Sequence, residues 1–217
     1  MIKVENIQVT GWEPAIRGMR NPMNSWDRSD SLICGYINCP YVIIGDADLD
    51  LMNRLFHGGT EHRKFMRMIV VYMDINAPLY WWKEFDTYKV GTVANSCSTM
   101  HKIHAKEFAV EDFSIEHLET IARFDEDGEM HKPYMVLKVV IDCLNACRNS
   151  YLQTKNKTDW WQMIQLLPSS YNQRRTVMLN YEVAATIIRQ RTGHKLDEWN
   201  MFVDVLKELP YLMEIMQ

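Results

Sequence analysis

The stretch APLYWWKEFDTYKVGTVANSCSTMHK, residues 77–102, sets the fold expected of this chain. An aromatic segment runs into a loop of small hydroxyl, amide and thiol side chains: Asn95, Ser96, Cys97, Ser98 and Thr99. Loops of this composition are seldom needed for packing, whereas loops on a rigid scaffold carry a disproportionate share of binding residues. On the residues alone two readings stay open. The loop cradles a phosphate or a base through hydroxyls, amides and backbone N–H groups, or it is a polar turn whose side chains bond their own backbone. Pro78, at a tolerated first-turn position, predicts a helix from Asn76 to about Tyr88, with loop over residues 90–100.

Working outward, Lys3 to Thr10 alternates as a half-buried strand does. Residues 11–31 have no clean period and predict an irregular segment with a short helix near residues 15–19. Residues 41–44 are a short apolar run closed by Gly45. Asp46 or Asp48 caps a predicted helix that Gly58 and Gly59 end. Residues 65–75 hold the best strand candidate, rich in Val, Ile and Tyr. Downstream, Ser114 with Glu119 suggests a helix over 114–124, and Asp125 to Gly128 reads as a turn. Helices are predicted over 134–152, 160–167, 171–191 and 196–209, stopped by breakers such as Pro168, Gly193 and Pro210. Strand-rich first and helix-rich later, this order predicts an α/β (α+β) fold, a single domain over 1–217 with helices packed on a small sheet.

The composition is that of an ordinary globular chain: 217 residues, 47% hydrophobic and 24% charged. A net charge of -4 argues against a broad nucleic-acid-binding face, though not against a local anion pocket. No apolar run is long enough to span a bilayer. The opening Met1-Ile-Lys-Val-Glu-Asn carries no signal-peptide pattern, and the five cysteines are irregularly spaced. A cytoplasmic protein with reduced thiols and no membrane partner is expected.

The order of elements and several residues resemble the flavin-dependent thymidylate synthases, the ThyX class. In that family a strand leads into a helix ending in Arg-His-Arg, and a loop Ser-x-Asn-Glu-x-Ser-x-Arg follows. A later Leu-Pro precedes a helix with Asn-x-Arg and a second Arg. Here Asn95 and Ser98 match the loop. Leu167, Pro168, Tyr171, Asn180 and Arg191 match the later pattern, and Glu61-His62 resembles a Glu-His near the flavin. The chain departs from the pattern at Asp86-Thr87-Tyr88, which stands where Arg-His-Arg is expected. Ser96 replaces the Glu, Met100 replaces the loop Arg, and Glu182 inverts the charge of Asn-x-Arg. An acid cannot replace the arginine fork on a phosphate. Lys89, Arg174, Arg175 and Arg189 are the cations expected to take over.

The resemblance implies a small, mostly antiparallel sheet flanked by long helices, and a homotetramer with sites between subunits. It implies FAD as cofactor, methylenetetrahydrofolate and NADPH as co-substrates, and a pyrimidine nucleotide (dUMP to dTMP in the family) as substrate. It assigns the cofactor to His62, Arg63, Lys89, Asn180 and Arg191. It assigns the substrate to Tyr88, Asn95, Ser96, Ser98, Arg174 and Arg175, with Ser96 and Ser98 the catalytic candidates. The alternative is a non-catalytic nucleotide-binding or regulatory protein that retains the fold.

Other residues have bland readings beside sharper ones. Cys97 is a small half-buried thiol unless a neighbour lowers its pKa. His101 and His104 share a helical face but lack further metal ligands, so no metal is expected. Cys143 and Cys147 read as core. In Trp81-Trp82 and Trp160-Trp161 at most one ring of each pair is expected to face a given pocket, with core or a subunit interface the default. Arg63, Lys64 and Arg67 form either a flavin-phosphate cluster or a solvated edge.

Overall fold

Alternating burial marks the strands at residues 70–78 and 172–180, and amphipathic faces build the helices. The computed structural model describes residues 1–33 and 42–217. In chain order the elements are β1 (Lys3–Thr10), α1 (Trp12–Arg20), β2 (Leu32–Ile33), β3 (Val42–Ile43), α2 (Asp46–His57), α3 (Lys64–Met68), β4 (Val70–Pro78), α4 (Leu79–Phe85), β5 (Thr92–Ser96), α5 (Thr99–Lys102), β6 (Arg123–Phe124), β7 (Met130–His131), α6 (Pro133–Thr154), α7 (Lys157–Leu166), β8 (Asn172–Asn180), α8 (Tyr181–Arg191), α9 (Asp197–Lys207) and α10 (Leu212–Ile215). The architecture is the expected mixture of helices and a small antiparallel sheet, with strand order β1-β4-β8-β5. The chain forms two compact units. One holds Met1, Asn76–Phe85 and Ser96–Arg175; the other holds Ile2–Ile75, Asp86–Asn95 and Thr176–Gln217.

In the first unit Ile103, Phe108, Phe113, Leu137, Ile141, Leu144 and Met163 form a core cluster. α6 packs along α7. Trp81, Trp82 and Phe85 on α4 are all buried, Trp81 stacked on Phe85 at 5.1 Å. Neither Trp of that pair is left for a ligand. Cys147 packs against the core cluster while Cys143 is exposed, so the core reading holds for only one of the two.

In the second unit α1 packs on α3, α3 on α8, α8 on α9 and α2 on α10. Trp12 meets Tyr181 edge-on at 5.3 Å. Gly11, at φ 93°, opens α1, and any Cβ there would meet the Met68 carbonyl oxygen at 2.1 Å. β2 pairs with β3. Tyr41 of the expected apolar run, with Cys34 and Cys39, lies outside the described residues.

Four sequence expectations are corrected. Residues 64–68 are helical, and the strand starts at Val70 and continues through Pro78. Val71, Met73, Ile75 and Ala77 alternate into the interior, and that period prevails over proline's helix-start preference. The first N–H groups after Pro78 pair outside the helix, Leu79 with the Tyr171 carbonyl and Tyr80 with the Ser169 carbonyl, each at 3.0 Å. Residues 172–180 are a strand instead of the first half of a helix, because Gln173, Val177 and Leu179 point inward at period 2. The loop over 90–100 contains β5 and the start of α5. No helix forms over 114–124, where the Ser114 hydroxyl accepts from the Met1 amine at 3.1 Å and donates to Asn172 at 3.0 Å.

The new boundary at β8 gives Asn180 a role. Its side-chain oxygen accepts from the Val183 N–H at 3.0 Å, capping α8. Asn180→Ala should cost about 1 kcal/mol of stability, measured by urea unfolding.

Candidate functional site

Two recesses collect residues expected to bind a ligand, one in each unit. In the first unit the loop after β5 is held against the start of β8. The Cys97 N–H donates to the Arg174 carbonyl at 2.9 Å, and Gln173 Nε2 donates to the Cys97 carbonyl at 2.8 Å. Trp82 Nε1 fixes Gln173 in turn, donating to its carbonyl at 2.9 Å. The result is a cleft of about 320 Å³ whose lining includes Ser98, Thr99, Lys102, Lys106, Tyr171 and Arg174. Phe108 and Tyr171, edge-on with centroids 6.3 Å apart, also line it. Burial, and then the Asp112 carboxylate, push the Tyr171 phenol up, so it stays a donor at neutral pH. Lys106 pairs with Asp112, and Lys102 and Arg174 also line the cleft. Hydroxyls, amides, aromatic rings and side chains of both charges, Lys102, Lys106 and Arg174 with Glu111 and Asp112, together suit a planar polar ligand.

The polar-turn reading of the loop holds in part. Ser98 Oγ accepts from the His101 N–H at 3.1 Å and caps α5, as the polar-turn reading requires. Cys97, Ser98 and Thr99 also line the cleft. Neither Ser96 nor Asn95 lines it; both are exposed on β5. Arg175 does not line it either. Its guanidinium lies 4.2 Å over the Trp82 ring and donates to Gln173 Oε1 at 3.0 Å.

The second recess, a groove of about 460 Å³, is lined by Thr60, Arg63, Arg67, Thr87, Tyr88, Lys89, Val90, Glu182, Val183, Thr186 and Arg189. Four cations stand against one carboxylate. That carboxylate, Glu182, accepts from Arg67 Nε at 2.5 Å. The charge inversion seen in the sequence is therefore locally neutralised, and it orients a guanidinium. Arg63 is set by its contact over the Phe56 ring at 4.6 Å. An electropositive groove with paired hydroxyls fits a phosphate-bearing ligand.

His62, Asn180 and Arg191 do not line this groove. His62 is exposed beside Glu61. Arg191 Nε donates to the Tyr88 hydroxyl at 3.0 Å and the guanidinium lies 4.4 Å over Trp199. Tyr88 donates to Gln190 Oε1 at 3.0 Å. Arg67 and Arg189 belong to the groove although neither stood among the assigned cofactor residues. Lys102, the last residue of α5, and Lys106, which follows the helix, were overlooked because no sequence pattern marked them.

Among the described residues no group of three or more His, Cys, Asp or Glu could hold a metal ion, and no helix is long and apolar enough to cross a membrane.

No family model matches the chain, and no curated protein matches it in sequence. Solved structures do match in fold. A Thymidylate Synthase X (ThyX) from Helicobacter pylori, crystallised with FAD and dUMP, is 15% identical with a TM-score of 0.65, over 100% of this chain and 97% of that one. A UMP/dUMP methylase PolB from Streptomyces cacaoi bound with 5-Br dUMP is 11% identical with a TM-score of 0.62, over 100% and 92%. The same PolB bound with 5-Br UMP gives 12% identity and a TM-score of 0.64. The chain has a ThyX-like fold from end to end.

Proposed function

We propose that this chain is a ThyX-like, FAD-dependent enzyme that methylates a pyrimidine nucleotide, with dUMP to dTMP as the leading reaction. In this reading methylenetetrahydrofolate donates the carbon, NADPH is the reductant, and the protein works in the cytoplasm as a homotetramer. The observation that carries the reading is the end-to-end likeness of fold to enzymes solved with dUMP or its bromo analogue. Fold alone does not fix chemistry, so the residues must bear it. Ser98, Lys102, Tyr171 and Arg174 supply donors and cations for the nucleotide. Arg63, Arg67, Lys89 and Arg189 suit the phosphates of FAD, because Glu182, the one carboxylate among the described residues that line the groove, is already paired with Arg67. Bound there, FAD would supply hydride chemistry that amino-acid side chains lack. The chain's part is to hold, orient and exclude water.

A second reading is a nucleotide-binding protein that keeps the fold without the chemistry. Asp86, Thr87 and Tyr88, standing where the family carries Arg-His-Arg, favour it. A flavin spectrum decides between them. The enzyme reading expects purified protein to be yellow, or to become so with added FAD, and to rescue a thymidine-requiring strain. Colourless protein that takes up no FAD overturns it. Bound FAD without rescue points to another one-carbon transfer.

A further inference from the structure

On the far side of α5 from the nucleotide cleft, the first unit carries another recess, of about 300 Å³. Ser98, Thr99, Lys102 and Ile103 line the cleft, while Met100, His101 and His104 line this recess. We propose that it is a separate binding site for a flat aromatic anion, an aryl phosphate or an aryl carboxylate. The inference does not depend on the reaction proposed above.

Three observations carry it. First, the walls are built. Trp160 Nε1 donates to the Met100 carbonyl at 3.1 Å, and Arg148 Nε donates to the His104 carbonyl at 3.0 Å, which ties residues 100–104 to α6 and α7. Tyr151 meets the His104 ring edge-on at 5.0 Å. Tyr151 and Trp160 thus present held aromatic surface for a flat ring.

Second, the lining residues include no carboxylate, while Lys155, Lys157, His101 and His104 all belong to them. The nearby Asp159 is engaged by the Ser150 hydroxyl at 2.7 Å and the Thr154 hydroxyl at 3.3 Å. Among the described residues neither ring nitrogen of His104 has a hydrogen-bond partner, and only Nδ1 is sealed from solvent. Nε2 is left to a ligand.

Third, the chain accepts backbone strain to keep a cation here. Lys155 closes α6 at φ 55°, a left-handed position where glycine or asparagine is the usual residue. The side chain is exposed, so packing does not explain the choice; its Nζ stands 5.6 Å from the Tyr151 ring. Local strain that packing does not repay is a pointer to function.

The test is calorimetric titration of the full chain with phenyl phosphate, benzoate and inorganic phosphate. Saturable binding of phenyl phosphate or benzoate is expected, with the better of the two identifying the anionic group. Inorganic phosphate alone should bind about tenfold more weakly, lacking the stacked ring. Lys155→Ala with Lys157→Ala should weaken the aryl ligand by about tenfold through loss of charge-assisted contacts. Lys155→Gly should weaken it too, while raising the thermal midpoint by removing the strain, so lost binding cannot be mistaken for lost folding. Lys106→Ala, across α5, should leave this binding unchanged. The proposal is overturned if neither aryl anion saturates, if inorganic phosphate binds as tightly, or if Lys106→Ala abolishes binding that the lysine pair does not affect.

Discussion

Asp48→Ala should destabilise the second unit by about 3–5 kcal/mol, seen as a large fall in the urea midpoint, because it strands a buried guanidinium. Asp48 is fully buried and Arg20 is 4% exposed, with Arg20 Nε donating to Asp48 Oδ1 at 2.6 Å. The other carboxylate oxygen accepts from the Ser29 and Ser31 hydroxyls at 2.8 and 2.7 Å and from the Asp30 and Ser31 N–H groups at 3.2 and 3.1 Å. Among the described residues Arg20 Nη2 is buried without a hydrogen-bond partner and Nη1 donates to the neutral Ser25 oxygens, so no second carboxylate compensates once Asp48 is gone. Replacing both partners, as in Arg20→Met with Asp48→Leu, removes the stranded charge and should recover most of the loss. If the single and double variants unfold alike, the cost lies in packing and not in charge.

The pH dependence has a definite sign. Burial pushes the Asp48 carboxyl up, but the Ser31 and Ser29 hydroxyls and the Arg20 guanidinium together outweigh it and hold it below its ordinary 3.8. A carboxyl depressed on folding contributes stability that is fully present above pH 3.8 and is lost as pH falls through its folded value. The gap between wild type and Asp48→Ala should therefore be constant near neutrality and narrow only in strong acid.

What could be read in advance depended on whether a signal was local. The helix at 134–152 and the turn at Asp125 are local patterns, and both stand in the structure as α6 and the β6–β7 hairpin. The N-terminus of α2 is not local. Asp30, remote in sequence, accepts from the Ala47 and Asp48 N–H groups at 2.9 and 3.0 Å, where the sequence offered Asp46 or Asp48 as the cap. The strand at 172–180 was hidden because Asn172, Arg174 and Thr176 alternate with residues whose inward direction only the neighbouring strands reveal. At the site, Ser98 matched the family pattern, Arg174 and Lys89 were expected as replacement cations and Arg63 as part of a basic cluster; all four line recesses. The Arg67–Glu182 pair was not, since its partners are 115 residues apart.

That pair also frames the strongest functional expectation. Lys89→Glu with Arg189→Glu should weaken FAD binding by about a hundredfold or more, followed by flavin fluorescence at low salt. Each reversal removes a charge-assisted contact of about 1.5–3 kcal/mol to a phosphate, and a factor of ten in affinity is about 1.4 kcal/mol. Both side chains are exposed, so solvent screening holds the loss to the lower end of that sum, and it should shrink further as ionic strength rises. Among the described residues neither cation makes an ion pair, so the unfolding midpoint should hardly move. Arg67 differs in kind. Its guanidinium is engaged by Glu182 and the Thr60 carbonyl, so Arg67→Ala would mix lost binding with lost structure. The Lys89 and Arg189 reversals isolate the electrostatics of the groove. Wild-type FAD affinity in the double variant would mean that the phosphates of the flavin lie elsewhere.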